Sequence, residues 1–175
     1  TLSSVLEYNG VVNTTPLTTL KWEIYGESTN TNTIDEVSNQ LKNILGFPSD
    51  KDIEIDYIQS KDIGVAKETL KVMVVINTLS SLLSKSKNVA AAALGRVIKS
   101  QYESTIQNLS IVQNRIILNT ALTSGFSLTS IDTLQSIINE VPDIGDNVDI
   151  GSIASYLQTV TNIIDTVDTT SDDFS

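Results

Sequence analysis

The sequence predicts an α+β fold: an antiparallel sheet with helices on one of its faces, followed by a C-terminal pair of helices. Three observations predict it. Apolar and polar residues alternate around Trp22 and again from Ile53 to Tyr57, a capping pattern opens an apolar stripe at Thr33, and beyond Gly125 the apolar residues recur at helical spacing. The 175 residues suffice for one domain, or for one small domain with an appended helical piece. A hydrophobic content of 40% with only 5% aromatics leaves the core to Ile, Val and Leu.

Residues 1–16 read as an N-terminal arm or edge strand, ending in the turn-like Asn13-Thr14-Thr15-Pro16. From Leu17 to Tyr25, Leu20, Trp22 and Ile24 alternate with Lys21, Glu23 and Tyr25, the period of a half-buried strand that places Trp22 in the core. Thr33-Ile34-Asp35-Glu36 has capping-box spacing, and Ile34, Val37, Leu41 and Ile44 follow on one helical face, stopped by Gly46 and Pro48. Ile53, Ile55 and Tyr57 then alternate with Asp52, Glu54 and Asp56, predicting a strand with one acidic face. A turn from Lys61 to Glu68 around Gly64 leads to Leu70–Thr78, whose Val72, Val74, Val75 and Ile76 predict a central strand. Asn88 is placed to cap an Ala-rich helix running to Ile98, and Leu109, Ile111, Val112 and Ile116 to Leu118 form a last strand.

This order, strand, helix, strand, strand, helix, strand, is the ferredoxin-like βαββαβ sandwich, assigned to residues 17–122. A helical hairpin occupies 123–168: Ile131, Leu134, Ile138 and Val141 form one stripe, and Ile150, Ile153, Ala154, Leu157, Val160, Ile164 and Val167 a second, capped by Asp149. Residues 169–175 read as a flexible acidic tail.

The net charge of −10, from 21 acidic and 11 basic residues, repels phosphate backbones and anionic lipid, so no nucleic-acid partner is expected. Lys61, Lys67, Lys71, Lys85, Lys87, Arg96 and Lys99 are dispersed and read as solvated surface. The apolar runs, such as Val72 to Ile76 and Val89 to Leu94, fall far short of the ~20 residues of a membrane helix, so no direct membrane insertion is expected. The chain opens at Thr1 without a leader pattern, and the expectation is a leader removed or lying upstream.

Cysteine and histidine are both absent, which removes disulfides, thiolate metal sites, the thiol nucleophile and the commonest general base. Glu54 and Asp56 would share a strand face about 7 Å apart, a spacing usable by glycosidase carboxylates, but strand alternation already explains both. Asp143, Asp146 and Asp149 with Asn147 are oxygen donors in one turn-rich segment, yet their spacing matches no EF-hand loop and Asp149 serves better as a cap. The glycines form no phosphate-binding loop. No catalytic residue, cofactor or metal ligand is therefore assigned. Two sequons, Asn13-Thr14-Thr15 and Asn108-Leu109-Ser110, are possible glycosylation sites at Asn13 and Asn108.

The segment 17–119 resembles a SEA-like domain, the extracellular ferredoxin-like module of mucins and adhesion receptors. The resemblance lies in the Leu17–Tyr25 strand, the capped helix, Leu45-Gly46-Phe47-Pro48-Ser49 leading into Ile53–Tyr57, and Leu70–Thr78 before the Ala-rich helix. Self-cleaving members break a Gly-Ser bond. Here Ile63-Gly64-Val65-Ala66 stands in that region without the serine, so the resemblance implies a turn at Gly64 and no autoproteolysis. The helices beyond Gly125 look similar to the helical start of a GAIN region of adhesion-type receptors. The resemblance implies a non-catalytic extracellular structural or adhesion module at a cell surface, or secreted, working through a protein partner or self-association and without a small-molecule substrate. Alternative readings are a self-assembling subunit of a filament, sheath or virion, a secreted carbohydrate- or calcium-binding module, and a small hydrolase using Glu54 and Asp56.

Overall fold

The computed structural model describes residues 15–26, 33–47, 50–108, 126–144 and 148–167. Every regular element among them is a helix: α1 (Pro16–Gly26), α2 (Ile34–Leu45), the single turn α3 (Tyr57–Ser60), α4 (Ile63–Leu82), α5 (Lys87–Asn108), α6 (Ile131–Asn139) and α7 (Ile150–Thr166). No strand occurs among the described residues, so the expected ferredoxin-like α+β sandwich is corrected to an all-helical fold. The strand order that carried the SEA-like resemblance falls with it.

Each expected strand that falls on the described residues fails for a local reason. Pro16 stands at the first position of α1, where its missing N–H costs nothing, and Thr15 and Thr18 cap reciprocally: Thr18 N–H donates to Thr15 Oγ1 (3.1 Å) and Thr15 N–H to Thr18 Oγ1 (2.8 Å). Leu17, Leu20 and Ile24, three and four residues apart, are fully buried, while Trp22 lies on the opposite side, 39% exposed and stacked on Tyr25 with ring centroids 6.0 Å apart. The placement of Trp22 in the core is thus also corrected. Between Asp52 and Asp56 the carboxylates make turns and no sheet face: Asp52 Oδ1 accepts from Glu54 N–H (2.8 Å), and Asp56 Oδ1 accepts from Gln59 N–H (3.0 Å) to open α3. The expected strand Leu70–Thr78 is the middle of α4, capped by Asp62 through the Val65 N–H (3.1 Å). Gly64, expected at a turn, sits in the first turn of that helix. The Ala-rich helix forms as α5 but starts one residue before Asn88, with Ser86 Oγ accepting from Val89 N–H (3.3 Å). The last expected strand, Leu109–Leu118, lies outside the described residues.

The other expected helices form, although the first helix of the expected hairpin ends at Asn139, short of Val141, and leaves Ile131 exposed. Thr33 and Glu36 close their capping box around α2, and Gly46 ends it in the left-handed region at φ 75°. There Phe47 N–H reaches Lys42 O (2.8 Å) and Gly46 N–H reaches Asn43 O (3.3 Å), the paired bonds of a Schellman stop that favour glycine at this position. Ser130 caps α6 and Asp149 caps α7, and the two helices pack on one another.

Helix α5 is central and touches α1, α2, α4 and α6, while α7 closes the assembly against α4 and α6. One buried cluster runs through all the long helices, from Leu17 and Leu41 through Val72, Leu79, Leu94 and Ile98 to Leu134 and Leu157. Each such Leu or Ile contributes about 1.5–3 kcal/mol by leaving water. The alanines Ala90, Ala91 and Ala93 bring α5 close to its neighbours, and Gly95 brings it closest: a Cβ there would stand 3.2 Å from Glu23 Cβ of α1.

Candidate functional site

The feature that stands out is the outer face of the α4–α7 pair. The two helices run antiparallel. At one end Lys71 Nζ is paired with Asp165 (2.5 Å) and Glu68 (2.8 Å), and Lys67 Nζ donates to Asp165 O (3.0 Å). At the other end Asn77, Thr78 and Leu82 of α4 face Ile153 and Tyr156 of α7 across an open groove of about 510 Å³. Burial, the largest single influence on Lys71, pulls its pKa down. The hydrogen bonds and charges of Asp165 and Glu68 outweigh it, and the ammonium is held above the ordinary lysine value.

Both helices carry apolar residues on two sides. In α4 the buried row is Val65, Thr69, Val72, Ile76 and Leu79, and a second row, Ile63, Ala66, Leu70, Met73 and Asn77, runs on the solvent side at the same alternation of three and four. In α7 the buried residues Ile153, Ala154, Leu157, Thr161 and Ile164 are flanked by a second row, Tyr156, Val160, Ile163 and Val167, again three and four apart. Leu70 is 40% exposed, Tyr156 56% and Ile163 60%. A lone exposed Leu means little, but each of these rows repeats along its helix. From Ile150 to Ile164 α7 carries no charged residue, in a chain of net charge −10.

The residues singled out in the sequence have other occupations. Glu54 is ion-paired with the buried Lys21 and Asp56 caps α3, so the expected shared strand face does not exist. Asp149 accepts the Ser152 hydroxyl (2.7 Å) and N–H (3.1 Å), bonds that hold its carboxyl below the usual carboxylate range. Asp143 has a left-handed backbone at φ 54°, and Asp146 and Asn147 lie outside the described residues. Among the described residues no three acidic, His or Cys side chains are grouped to hold a metal ion. Asn108 is the last residue of α5, and Asn13 lies outside the described residues.

A polar cleft of about 420 Å³ lies between α1, α2 and the 50–54 turn, with Lys21, Lys42 and Lys51 set among Asp35, Asp50, Asp52 and Glu54. Three lysines thus face four carboxylates. Lys51 also reaches Asp62 (2.6 Å), an arrangement that raises the lysine and, together with the Val65 N–H, lowers the Asp62 carboxyl. The exposed Trp22–Tyr25 stack and the second apolar rows of α4 and α7 went unread in the sequence. Spacing alone could have found them: Ile63-Ala66-Leu70-Met73 and Tyr156-Val160-Ile163-Val167 alternate three and four as plainly as the buried rows. No helix among the described residues is long and apolar enough to cross a membrane. Comparison with protein-family models, with curated proteins and with solved structures finds no match.

Proposed function

We propose that this chain is a non-catalytic protein-contact module, and that the outer face of α4 and α7 is its working surface. The observation that carries this reading is the pair of solvent-facing apolar rows, Ile63-Ala66-Leu70-Met73 and Tyr156-Val160-Ile163-Val167. Six of these eight side chains, Ile63, Leu70, Met73, Tyr156, Ile163 and Val167, are exposed, while other sides of the same helices supply the core. Leaving such a surface in water gives up about 25 cal/mol for each Å² that a partner would cover. The carboxylates and lysines elsewhere support the same reading, since Glu54, Asp56, Asp62 and Asp149 cap helices or pair with lysines.

The test is a photo-crosslinking residue placed at Tyr156 and, as a control, at Asp132 on the exposed side of α6, with the chain in its native setting. Protein adducts specific to position 156 are expected. Equal labelling at the two positions, or none at position 156, would refute the contact role.

A further inference from the structure

We propose that residues 50–62, which join α2 to α4, form an acid-released strap: their carboxylates hold the segment in place at neutral pH, and neutralising them lets it lift. Four of the five carboxylates in this stretch do the holding. Glu54 pairs with Lys21 of α1, Asp52 Oδ1 accepts the Glu54 N–H, Asp56 Oδ1 accepts the Gln59 N–H, and Asp62 caps α4 while receiving Lys51. The apolar anchor among these bonds is Ile53, buried in the common core, with half-buried Ile55 packed against the same cluster.

The electrostatic force on the strap changes sign with its carboxylates. At neutral pH residues 50–62 carry five carboxylates and two lysines, net −3, and the groups of α1 and α2 that line the cleft beside them are Lys21, Lys42 and Asp35, net +1. Opposite charge draws the two sides together. With every carboxylate protonated, Lys51 and Lys61 leave +2 on the strap, and Lys21 and Lys42 leave +2 opposite. Attraction then becomes repulsion.

Burial makes Lys21 the sensitive point. The residue is only 4% exposed, and an ammonium taken out of water depends on the carboxylate set against it. Protonation of Glu54 withdraws that counter-charge, and lifting the strap returns Lys21 to water. At the other end Lys51 and the Val65 N–H hold the Asp62 carboxyl below its ordinary 3.8. That tether is therefore fully present above the ordinary value and is lost as pH falls through the lowered one, so release is complete only below the ordinary carboxylate range. The buried residues of α4 and α5, Val72, Leu79, Leu94 and Ile98, are apolar and do not titrate, so these helices should stay packed while the strap opens.

The chain has no cysteine, so a thiol introduced by Ile53→Cys reports on the strap and one introduced by Leu94→Cys reports on the core. Each is labelled with a disulfide reagent that stays reactive in acid, its rate divided by that of free cysteine at the same pH, as pH is lowered from neutral to about 3. The Ile53→Cys thiol should become roughly tenfold or more reactive while the Leu94→Cys thiol stays protected. At neutral pH, adding Glu54→Gln to the Ile53→Cys chain should raise labelling in the same way. Adding Lys21→Met as well should restore protection, since removing both partners removes the buried charge that drives the opening. Hydrogen exchange of the unsubstituted chain reads the strap without an introduced thiol: peptides spanning 50–62 should lose protection at a higher pH than peptides spanning 87–98 of α5. A strap that stays protected in acid, one that opens only together with the core, or a Glu54→Gln chain that labels no faster or is not repaired by Lys21→Met would overturn the inference.

Discussion

At the scale of single residues, Asp62 holds two parts of the chain at once. Its carboxylate caps α4 through the Val65 N–H and receives Lys51 from the turn before α3, and these bonds lower its pKa from the ordinary 3.8. A carboxyl whose folded pKa is depressed adds stability that is fully present above the unfolded value and is lost as pH falls through the folded one. Asp62→Ala should therefore lower the unfolding free energy at neutral pH by about 1 kcal/mol, the usual worth of a cap, and the difference from wild type should shrink on acidification below the ordinary carboxylate range. Asp62→Asn, which can still accept from Val65, should lose less. Urea melts of the three proteins at neutral and acidic pH check this, and a pH-independent gap between wild type and Asp62→Ala would contradict it. Capping of this sort was the most legible feature of the sequence: Thr33 with Glu36, Gly46 and Asp149 act where spacing placed them, because a cap depends only on neighbours within four residues.

At the scale of elements, legibility failed where a helix is apolar on two sides. A one-sided helix declares its period through polar residues on the other face, as α2 and α6 do. In α4 the buried row and the outer row together fill most positions between Ile63 and Leu79, so the segment Val72 to Ile76 reads as a continuous β-branched run. Packing against α1, α5 and α7 then outweighs the small β preference of Val and Ile. In α1 the buried Leu20 and Ile24 bracket Trp22 and counterfeit an alternation of two, although Leu17, Leu20 and Ile24 hold the true spacing. The outer rows went unread for the same reason, since they were absorbed into expected strands or into one broad helical stripe. The close crossing of α1 and α5 gives this all-helical arrangement a direct test. A side chain at Gly95 would press on Glu23 Cβ, an atom tied to the α1 backbone and unable to swing away. Gly95→Val should cost about 1–3 kcal/mol by forcing the helices apart, read as a lower urea midpoint with unchanged slope. A helix on its own would lose no stability from replacing glycine by valine, so a neutral or stabilising result would show that the two helices do not meet there.

At the scale of the whole molecule, the sequence suggested a sandwich with a helical hairpin attached, but the apolar residues of the hairpin belong to the common core. Leu134 and Ile137 of α6 are fully buried and α6 packs on α5, while Leu157 of α7 is fully buried and α7 packs on α4. Gln158 adds a bond from α7 to the carbonyl of Thr129 (3.2 Å), and the Lys71–Asp165 pair ties the far end of the same helix. Elements that share buried side chains cannot unfold separately without exposing one another's apolar surface, so all of them should melt in a single cooperative transition. Leu157→Ala and Leu94→Ala, one in the hairpin and one in the central helix, should therefore each lower that same transition, by about 2–5 kcal/mol. Against a total stability of order 5–15 kcal/mol either loss is large. Calorimetry together with circular dichroism at two wavelengths decides the matter. Coincident transitions shifted alike by both substitutions are expected. A separate low-temperature step moved only by Leu157→Ala would mean that α6 and α7 form their own unit, with the packing of α7 on α4 a junction between two bodies.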